Sequence, residues 1–81
     1  MSFVYILKSI TYNKFYVGST TDLSRRLLEH NSGLSLYTKR YLPWHIIYIE
    51  NFLDIKDARK REKYFKSAAG RRFIKKLNIP G

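Results

Sequence analysis

One carboxylate lies in the middle of an apolar helical stripe. Residues 55–67 follow a helical pattern, and at about 100° per residue Glu62 falls among the apolar side chains of one face. The apolar members of that face are Ile55, Ala58 and Phe65. Burying an ionised carboxylate without a partner costs several kcal/mol, so a cation must face Glu62. The pattern allows a catalytic metal ion, or an ordinary ion pair with Arg26 or with Lys66 one turn later.

Two adjacent arginines of the preceding predicted helix point in different directions. The packing face of residues 23–31 spans about 60° on a helical wheel and carries these side chains: Leu23, Leu27 and His30. Arg26 lies beside that face, whereas Arg25 and Glu29 project from the opposite side. Arg26 therefore either pairs with a buried carboxylate or lays its stem over the core. His30 is equally compatible with a hydrogen-bonded histidine at a helix end.

Two tyrosines occupy the two halves of a predicted hairpin. Tyr5 and Tyr16 lie at matching distances from a turn near residues 10 and 11, so a symmetric hairpin would place them opposite one another. Tyrosines in paired strands are usually packing residues, and spacing alone favours that interpretation.

Six elements are expected to position these side chains, in the order β-β-α-β-α-α: residues 2–8, 14–18, 23–31, 44–50, 55–67 and 71–77. The hairpin turn lies around Asn13, and residues 19–22 and Asp54 supply N-caps for the two longer helices. Residues 44–50 give the strongest strand signal and are predicted to form the central strand. Residues 68–70 are predicted to break the last helical region. The pattern predicts one α+β domain over residues 1–81.

The composition limits the classes of protein this chain can belong to. With 81 residues it holds one modest core, and with no cysteine it has neither a disulfide framework nor a thiolate metal site. Sixteen basic against six acidic residues give a net charge of +10, which favours a polyanionic partner, although solubility, ribosome binding or an acidic membrane would also explain it. The apolar N-terminal run is too short for a membrane span or signal peptide, so a cytoplasmic protein is predicted.

Four segments, in their order and intervals, closely resemble the GIY-YIG nuclease superfamily. They are Val4-Tyr5, Tyr16-Val17-Gly18, Asp22-Leu23-Ser24-Arg25-Arg26-Leu27-Leu28-Glu29-His30-Asn31 and Arg61-Glu62-Lys63. The chain is most similar to small stand-alone bacterial members related to the N-terminal nuclease module of the excision-repair endonuclease. The resemblance implies a three-stranded antiparallel sheet flanked by helices.

The resemblance also implies an activity and assigns a role to each residue. The expected activity is metal-dependent hydrolysis of phosphodiester bonds in DNA, with a role in DNA repair or recombination. Glu62 would hold one Mg²⁺ or Mn²⁺ and Arg26 would bind the phosphate. Tyr5 would be the general base, its pKa lowered by neighbouring cations, with His30 or Tyr16 accepting or orienting its proton.

Further basic residues are expected to follow the phosphate backbone of double-stranded, branched or single-stranded DNA. These are Lys39, Arg40, Lys66, Arg71 and Arg72.

The sequence departs from the family pattern at two points, and the second departure supports a rival interpretation. Phe3 replaces the glycine of the first motif, at a strand position that takes no part in the reaction. The asparagine that some members carry after the glutamate has no counterpart, because Asn78 is unsuitably placed and Asn31 is a different position. The first rival is a non-catalytic nucleic-acid-binding module with the same fold. The second is a small basic domain that binds ribosomes or proteins.

Overall fold

The computed structural model describes residues 1–77, so Asn78 lies outside the described part of the chain. The elements in chain order are β1 (Ser2–Ser9), β2 (Phe15–Thr20), α1 (Leu23–Asn31), a 3-10 helix (Thr38–Tyr41), β3 (Trp44–Phe52), α2 (Ile55–Phe65) and α3 (Ala68–Leu77). The predicted order β-β-α-β-α-α and the α+β class are confirmed. The 3-10 helix lies between predicted elements 23–31 and 44–50, where the sequence predicted no helix or strand.

The three strands form one antiparallel sheet in the order β2-β1-β3. The prediction that residues 44–50 form the central strand is therefore wrong, because β1 holds that position. The reason is burial on both faces. Four consecutive residues of β1, from Val4 to Leu7, are at most 1% exposed. In β3, by contrast, His45 and Ile49 remain exposed, as expected for an edge strand.

The sheet separates two packed layers, because successive side chains of a strand point to opposite faces. On one face, Val4 and Ile6 pack with side chains of α2 and α3, including Ala58, Phe65 and Ile74. The residues on the other face are Tyr5, Leu7 and Trp44, packed against Leu23 and Leu27 of α1 and Tyr41 of the 3-10 helix. Functional side chains on α1 and on α2 therefore start from opposite sides of the sheet.

The hairpin register differs from the symmetric pairing that the sequence suggested. Tyr5 pairs with Gly18, and Tyr16 pairs with Leu7, so the two tyrosines are diagonal neighbours on one face rather than direct partners. Their ring centroids are 6.3 Å apart. The offset leaves Tyr5 opposite the one residue of β2 that has no side chain.

The break between α2 and α3 also differs from the prediction. Residues 68–70 were expected to interrupt the helix, but α2 ends at Phe65 and α3 starts at Ala68. The Ser67 hydroxyl accepts a hydrogen bond from the Gly70 amide at 3.3 Å, a cap that the new helix requires. A Cβ atom on Gly70 would lie 2.6 Å from the Phe65 carbonyl carbon. Gly70 therefore permits close packing of the two helices and does not end one.

Two polar links fix the helices to β3. The Asn31 side chain accepts a hydrogen bond from the Trp44 amide at 2.7 Å and donates one to the Trp44 carbonyl at 3.0 Å. The Arg61 guanidinium donates twice to the Glu50 carboxylate, at 2.8 and 3.1 Å, and Tyr48 donates to the same group. Asn31 thus has a structural role at the start of β3.

Candidate active site

A buried hydrogen-bonded chain begins at Tyr5. The Tyr5 hydroxyl lies 2.9 Å from Nε2 of His30, and Nδ1 of His30 lies 3.0 Å from the Thr38 hydroxyl. The Trp44 indole donates to the Thr38 carbonyl at 2.7 Å. Tyr5, His30 and Thr38 are all at most 1% exposed. The structure thus brings β1, α1 and the 3-10 helix together around His30, which sequence reasoning could not distinguish from an ordinary helix-end histidine.

Burial controls the protonation of this pair. Burial, followed by the nearby positive charge of Arg26, lowers the pKa of His30 to about 4. Burial likewise raises the pKa of Tyr5 to about 12, and outweighs the opposing effect of Arg26. The expectation that neighbouring cations lower the pKa of Tyr5 is therefore wrong for this structure, because desolvation of the phenolate is the larger effect. Near pH 7 both groups are neutral.

The depressed pKa of His30 should make the protein less stable in mild acid. The unfolded chain binds a proton on this imidazole near pH 6.5, whereas the folded protein does so only near pH 4. The unfolded state therefore gains protons first as the pH falls. The free energy of unfolding should decrease from about pH 6.5 to about pH 4, by on the order of 3 kcal/mol. Urea denaturation followed by circular dichroism across this range would measure the decrease.

His30→Gln is the matched control, because an amide nitrogen or oxygen can replace Nε2 toward Tyr5 but does not titrate. The variant should lose most of the decrease over this range, leaving only the contribution of the carboxylates. An unchanged pH profile in His30→Gln would show that His30 is not the responsible group.

Gly18 allows the Tyr5 side chain to lie across the edge of the sheet. A Cβ atom at position 18 would lie 2.6 Å from Cζ of Tyr5, closer still to the hydroxyl oxygen, and 3.1 Å from Cε2 of Tyr16. The missing side chain of this cross-strand partner is therefore what leaves room for the phenol. This gives the glycine of the second motif a packing reason.

Tyr16 is the more accessible tyrosine of the pair. The Tyr16 side chain is half-buried. Its ring centroid lies 4.7 Å from the ring centroid of His30 and 6.1 Å from that of Tyr37. Tyr37 is itself 45% exposed. The aromatic cluster thus extends from the buried Tyr5 to solvent.

Arg26 faces the cluster, as the helical wheel predicted, and Arg25 is solvated. The Arg26 guanidinium donates to the Glu29 carboxylate at 3.0 Å, which raises the pKa of Arg26. Glu29 lies between the two arginines, because its other carboxylate oxygen is 3.9 Å from the Arg25 guanidinium. The Arg26 charge also acts on the Tyr5 hydroxyl. Arg26 is therefore a partly exposed cation held beside both tyrosines.

Glu62 reaches the same edge of the sheet from the opposite layer. Its carboxylate accepts hydrogen bonds from the Ser19 hydroxyl at 2.6 Å and from the Lys66 ammonium at 2.8 Å. Of the two basic side chains that the sequence allowed, Lys66 is the one in contact, because Arg26 binds Glu29. Ser19 directly follows Gly18, so Glu62 reaches β2 next to Gly18 but from the other face of the sheet, and its charge also acts on the Tyr5 hydroxyl.

Two residues of this arrangement were not predicted as site residues. Ser19 was one of several N-cap candidates in residues 19–22, and Thr38 lay between two predicted elements. Neither residue type nor spacing distinguishes them, because Ser19 contacts Glu62, 43 positions later, and Thr38 contacts His30, 8 positions earlier. Only the tertiary structure identifies them.

The chemistry of Glu62 fits a single hard divalent cation. Among residues 1–77 no three His, Asp or Glu side chains come together, so at most two such side chains would bind an ion here. Mg²⁺ commonly binds through one or two carboxylates and keeps several waters. The Glu62 side chain is 22% exposed, and that of Lys66 is 55% exposed and free to move aside. The site therefore suits a weakly held ion completed by water and substrate oxygens.

The predicted backbone-binding residues fall into two groups. Lys66 and Arg71 line a groove of about 650 Å³ beside β2, which we call the β2 groove, together with Tyr16 and Tyr37. The residues outside this groove are Lys39, Arg40 and Arg72, all exposed. No helix among residues 1–77 is long and apolar enough to cross a membrane.

Comparisons with known proteins give a family and several similar proteins. A family model described as the GIY-YIG catalytic domain matches residues 1–78. A UPF0213 protein of Listeria welshimeri is 43% identical over 65 residues, which cover 79% of this chain and 71% of that protein. A UPF0213 protein of Clostridium perfringens is 37% identical over 67 residues, covering 82% and 71%. The solution NMR structure of a UPF0213 protein from Bacillus halodurans matches with a TM-score of 0.55 and 29% identity, covering 96% of this chain and 86% of that one.

Proposed function

This chain belongs to the GIY-YIG catalytic domain family, and from that premise we propose that it is a divalent-metal-dependent endonuclease that hydrolyses phosphodiester bonds in DNA. The family implies a nucleic-acid substrate. DNA as that substrate, a role in repair or recombination and a cytoplasmic location are part of the proposal. The observation that supports it best is that both layers reach the same stretch of β2: the Tyr5 phenol lies against Gly18, and Glu62 of α2 accepts a hydrogen bond from the adjacent Ser19.

Arg26 and Glu62 are proposed to stabilise the negative charge of the phosphate during cleavage. The side chain of Arg26 is one-third exposed, so its guanidinium can release Glu29 and bind a phosphate instead. The planar guanidinium donates two parallel hydrogen bonds to a phosphate, which a lysine ammonium cannot do. Glu62 would hold a divalent cation, which would supply Lewis-acid chemistry for the charge that develops in the reaction. Lys66 must then leave Glu62 and becomes available to the DNA backbone.

Tyr5 is proposed as the general base, with His30 as its proton acceptor. A free phenolate is disfavoured near pH 7 because burial raises the pKa of Tyr5 to about 12. Tyr5 therefore takes a proton from the attacking water as its own proton passes to Nε2 of His30, within one hydrogen bond of 2.9 Å. Thr38 accepts from Nδ1 and holds the required tautomer. Tyr16, nearer to solvent, orients the water.

One observation favours a second candidate, a non-catalytic nucleic-acid-binding module with the same fold. Both oxygens of Glu62 already have protein partners, Ser19 and Lys66. If Lys66 stays in place when nucleic acid binds, Glu62 would serve only as a structural ion pair.

A cleavage assay separates the two candidates. Purified protein is incubated with plasmid, single-stranded and branched DNA, with Mg²⁺ or Mn²⁺ and, in parallel, with chelator. The nuclease should nick at least one substrate with metal and none with chelator. Binding at low salt without any metal-dependent nicking would favour the binding module. Absence of binding even at low salt would contradict both and leave a ribosome- or protein-binding domain.

A further inference from the structure

The β2 groove continues the candidate active site along the free edge of the sheet. β2 is an edge strand, and Tyr16, which touches His30 on one side, lines the groove on the other. The groove then runs to α3. Its floor is apolar and is made by these residues: Phe15, Val17, Phe65 and Ile74. A ligand in the groove would therefore touch an apolar surface next to the reacting groups.

The rim of the groove is positively charged. Its cations come from the C-cap of α2, from α3 and from the hairpin turn: Lys14, Lys66, Arg71 and Lys75. Within the described part of the chain, none of the lining residues is acidic. Because cations surround an apolar floor, the groove complements a ligand that carries both negative charge and a flat apolar group.

Exposed aromatic rings make the groove suitable for nucleobases. Tyr37 is 45% exposed, and its ring lies 6.1 Å from that of Tyr16 with an interplanar angle of 31°. Bases stack on such rings with little dependence on sequence. In a duplex the base faces are covered by their neighbours, so an apolar and aromatic groove is of use only to unpaired bases.

We propose that the β2 groove binds unpaired nucleotides adjoining the scissile phosphate. Their bases lie on the apolar floor and against Tyr37, and their phosphates contact Arg71 and Lys75. A volume of about 650 Å³ is within the range of sites for small ligands and accommodates one or two nucleotides rather than a duplex. This deepens the proposed nuclease function, on which it rests, by giving the substrate an unpaired strand at the cleavage site.

Helix α3 provides a matched test, because its basic residues alternate between groove and solvent. Arg71→Gln with Lys75→Gln removes two groove cations, whereas Arg72→Gln with Lys76→Gln removes two exposed cations of the same helix that do not line the groove. Both double variants lose the same net charge. Binding of a single-stranded oligonucleotide, a duplex and an abasic single strand is measured by calorimetry in chelator, with folding checked by circular dichroism.

Compared with the wild type, Arg71→Gln with Lys75→Gln should bind the single strand at least about 10-fold more weakly. Arg72→Gln with Lys76→Gln should weaken the same binding only about 3-fold. Both should weaken duplex binding equally. Tyr37→Ala should weaken binding of the single strand about fivefold or more and leave the abasic strand unaffected. The proposal would be overturned if the two double variants lost the same affinity for the single strand. It would also be overturned if the wild type bound the abasic strand as tightly as the strand that carries bases. Because no cleavage is measured, these results stand apart from the test of nuclease activity.

Discussion

Glu62→Gln will reduce metal-dependent DNA cleavage by at least about 10³-fold while changing DNA binding in chelator by no more than about threefold. Glutamine keeps the shape of the side chain and an oxygen that can accept the hydrogen bond of Ser19, so folding should be retained. It removes the negative charge that a divalent ion requires. Among residues 1–77 no group of three His, Asp or Glu side chains could hold the ion, and the nearby Glu29 carboxylate is already bound to Arg26.

The control for this variant is Asp57→Asn, a neutralisation in the first turn of the same helix at an exposed position. Its cleavage rate should stay within about twofold of the wild type, as expected for a surface substitution remote from the site. A Mn²⁺ titration gives a readout independent of activity, because binding of the ion should be lost in Glu62→Gln and kept in Asp57→Asn. Cleavage that survives in Glu62→Gln would refute the proposed mechanism.

Gly18→Ala should have the second large effect, on both stability and activity. The added Cβ atom would approach Cζ of Tyr5 to 2.6 Å, so the phenol must move or the strands must separate. Overpacking of this kind costs roughly 1–3 kcal/mol of stability. A displacement of the hydroxyl by about 1 Å should also lower the cleavage rate about 10²-fold. Urea denaturation and the plasmid-nicking rate measure the two effects.

A double-mutant cycle tests whether the Tyr5 side chain is the reason that position 18 requires a glycine. In a Tyr5→Ala background the phenol is absent, so adding Gly18→Ala should cost much less stability than it does in the wild type. An equal cost in both backgrounds would show that the backbone of β2, and not the tyrosine, requires a glycine at this position.

Helical periodicity made the inward-facing residues of α1 and α2 predictable from sequence. A residue's direction on a helix depends only on local geometry, so Glu62 could be placed among apolar neighbours and Arg26 could be separated from Arg25. Asp54 was predicted as a helix cap for the same reason, and Asp22 was one of the four candidates in residues 19–22, since a cap acts within three residues. The resemblance to the nuclease family then gave these positions a role.

Properties that depend on distant parts of the chain were not predictable. Strand alternation does not fix register, so the pairing of Tyr5 with Gly18 required the structure. The direction of the Tyr5 pKa depends on burial by α1 and the 3-10 helix, which local charge counting ignores. Likewise, Arg71 and Arg72 are adjacent and chemically identical, and only the packing of α3 beside β2 directs one of them into the groove.

The hydrogen bond from the Trp44 indole to the Thr38 carbonyl gives the protein a built-in optical reporter. The sequence contains a single tryptophan, so all tryptophan emission comes from this position. Thr38 links this indole to the His30 imidazole, because its carbonyl accepts a hydrogen bond from Trp44 and its hydroxyl is hydrogen-bonded to Nδ1 of His30. Loosening of the 3-10 helix, or charging of His30, would therefore change the emission wavelength or intensity without any added label.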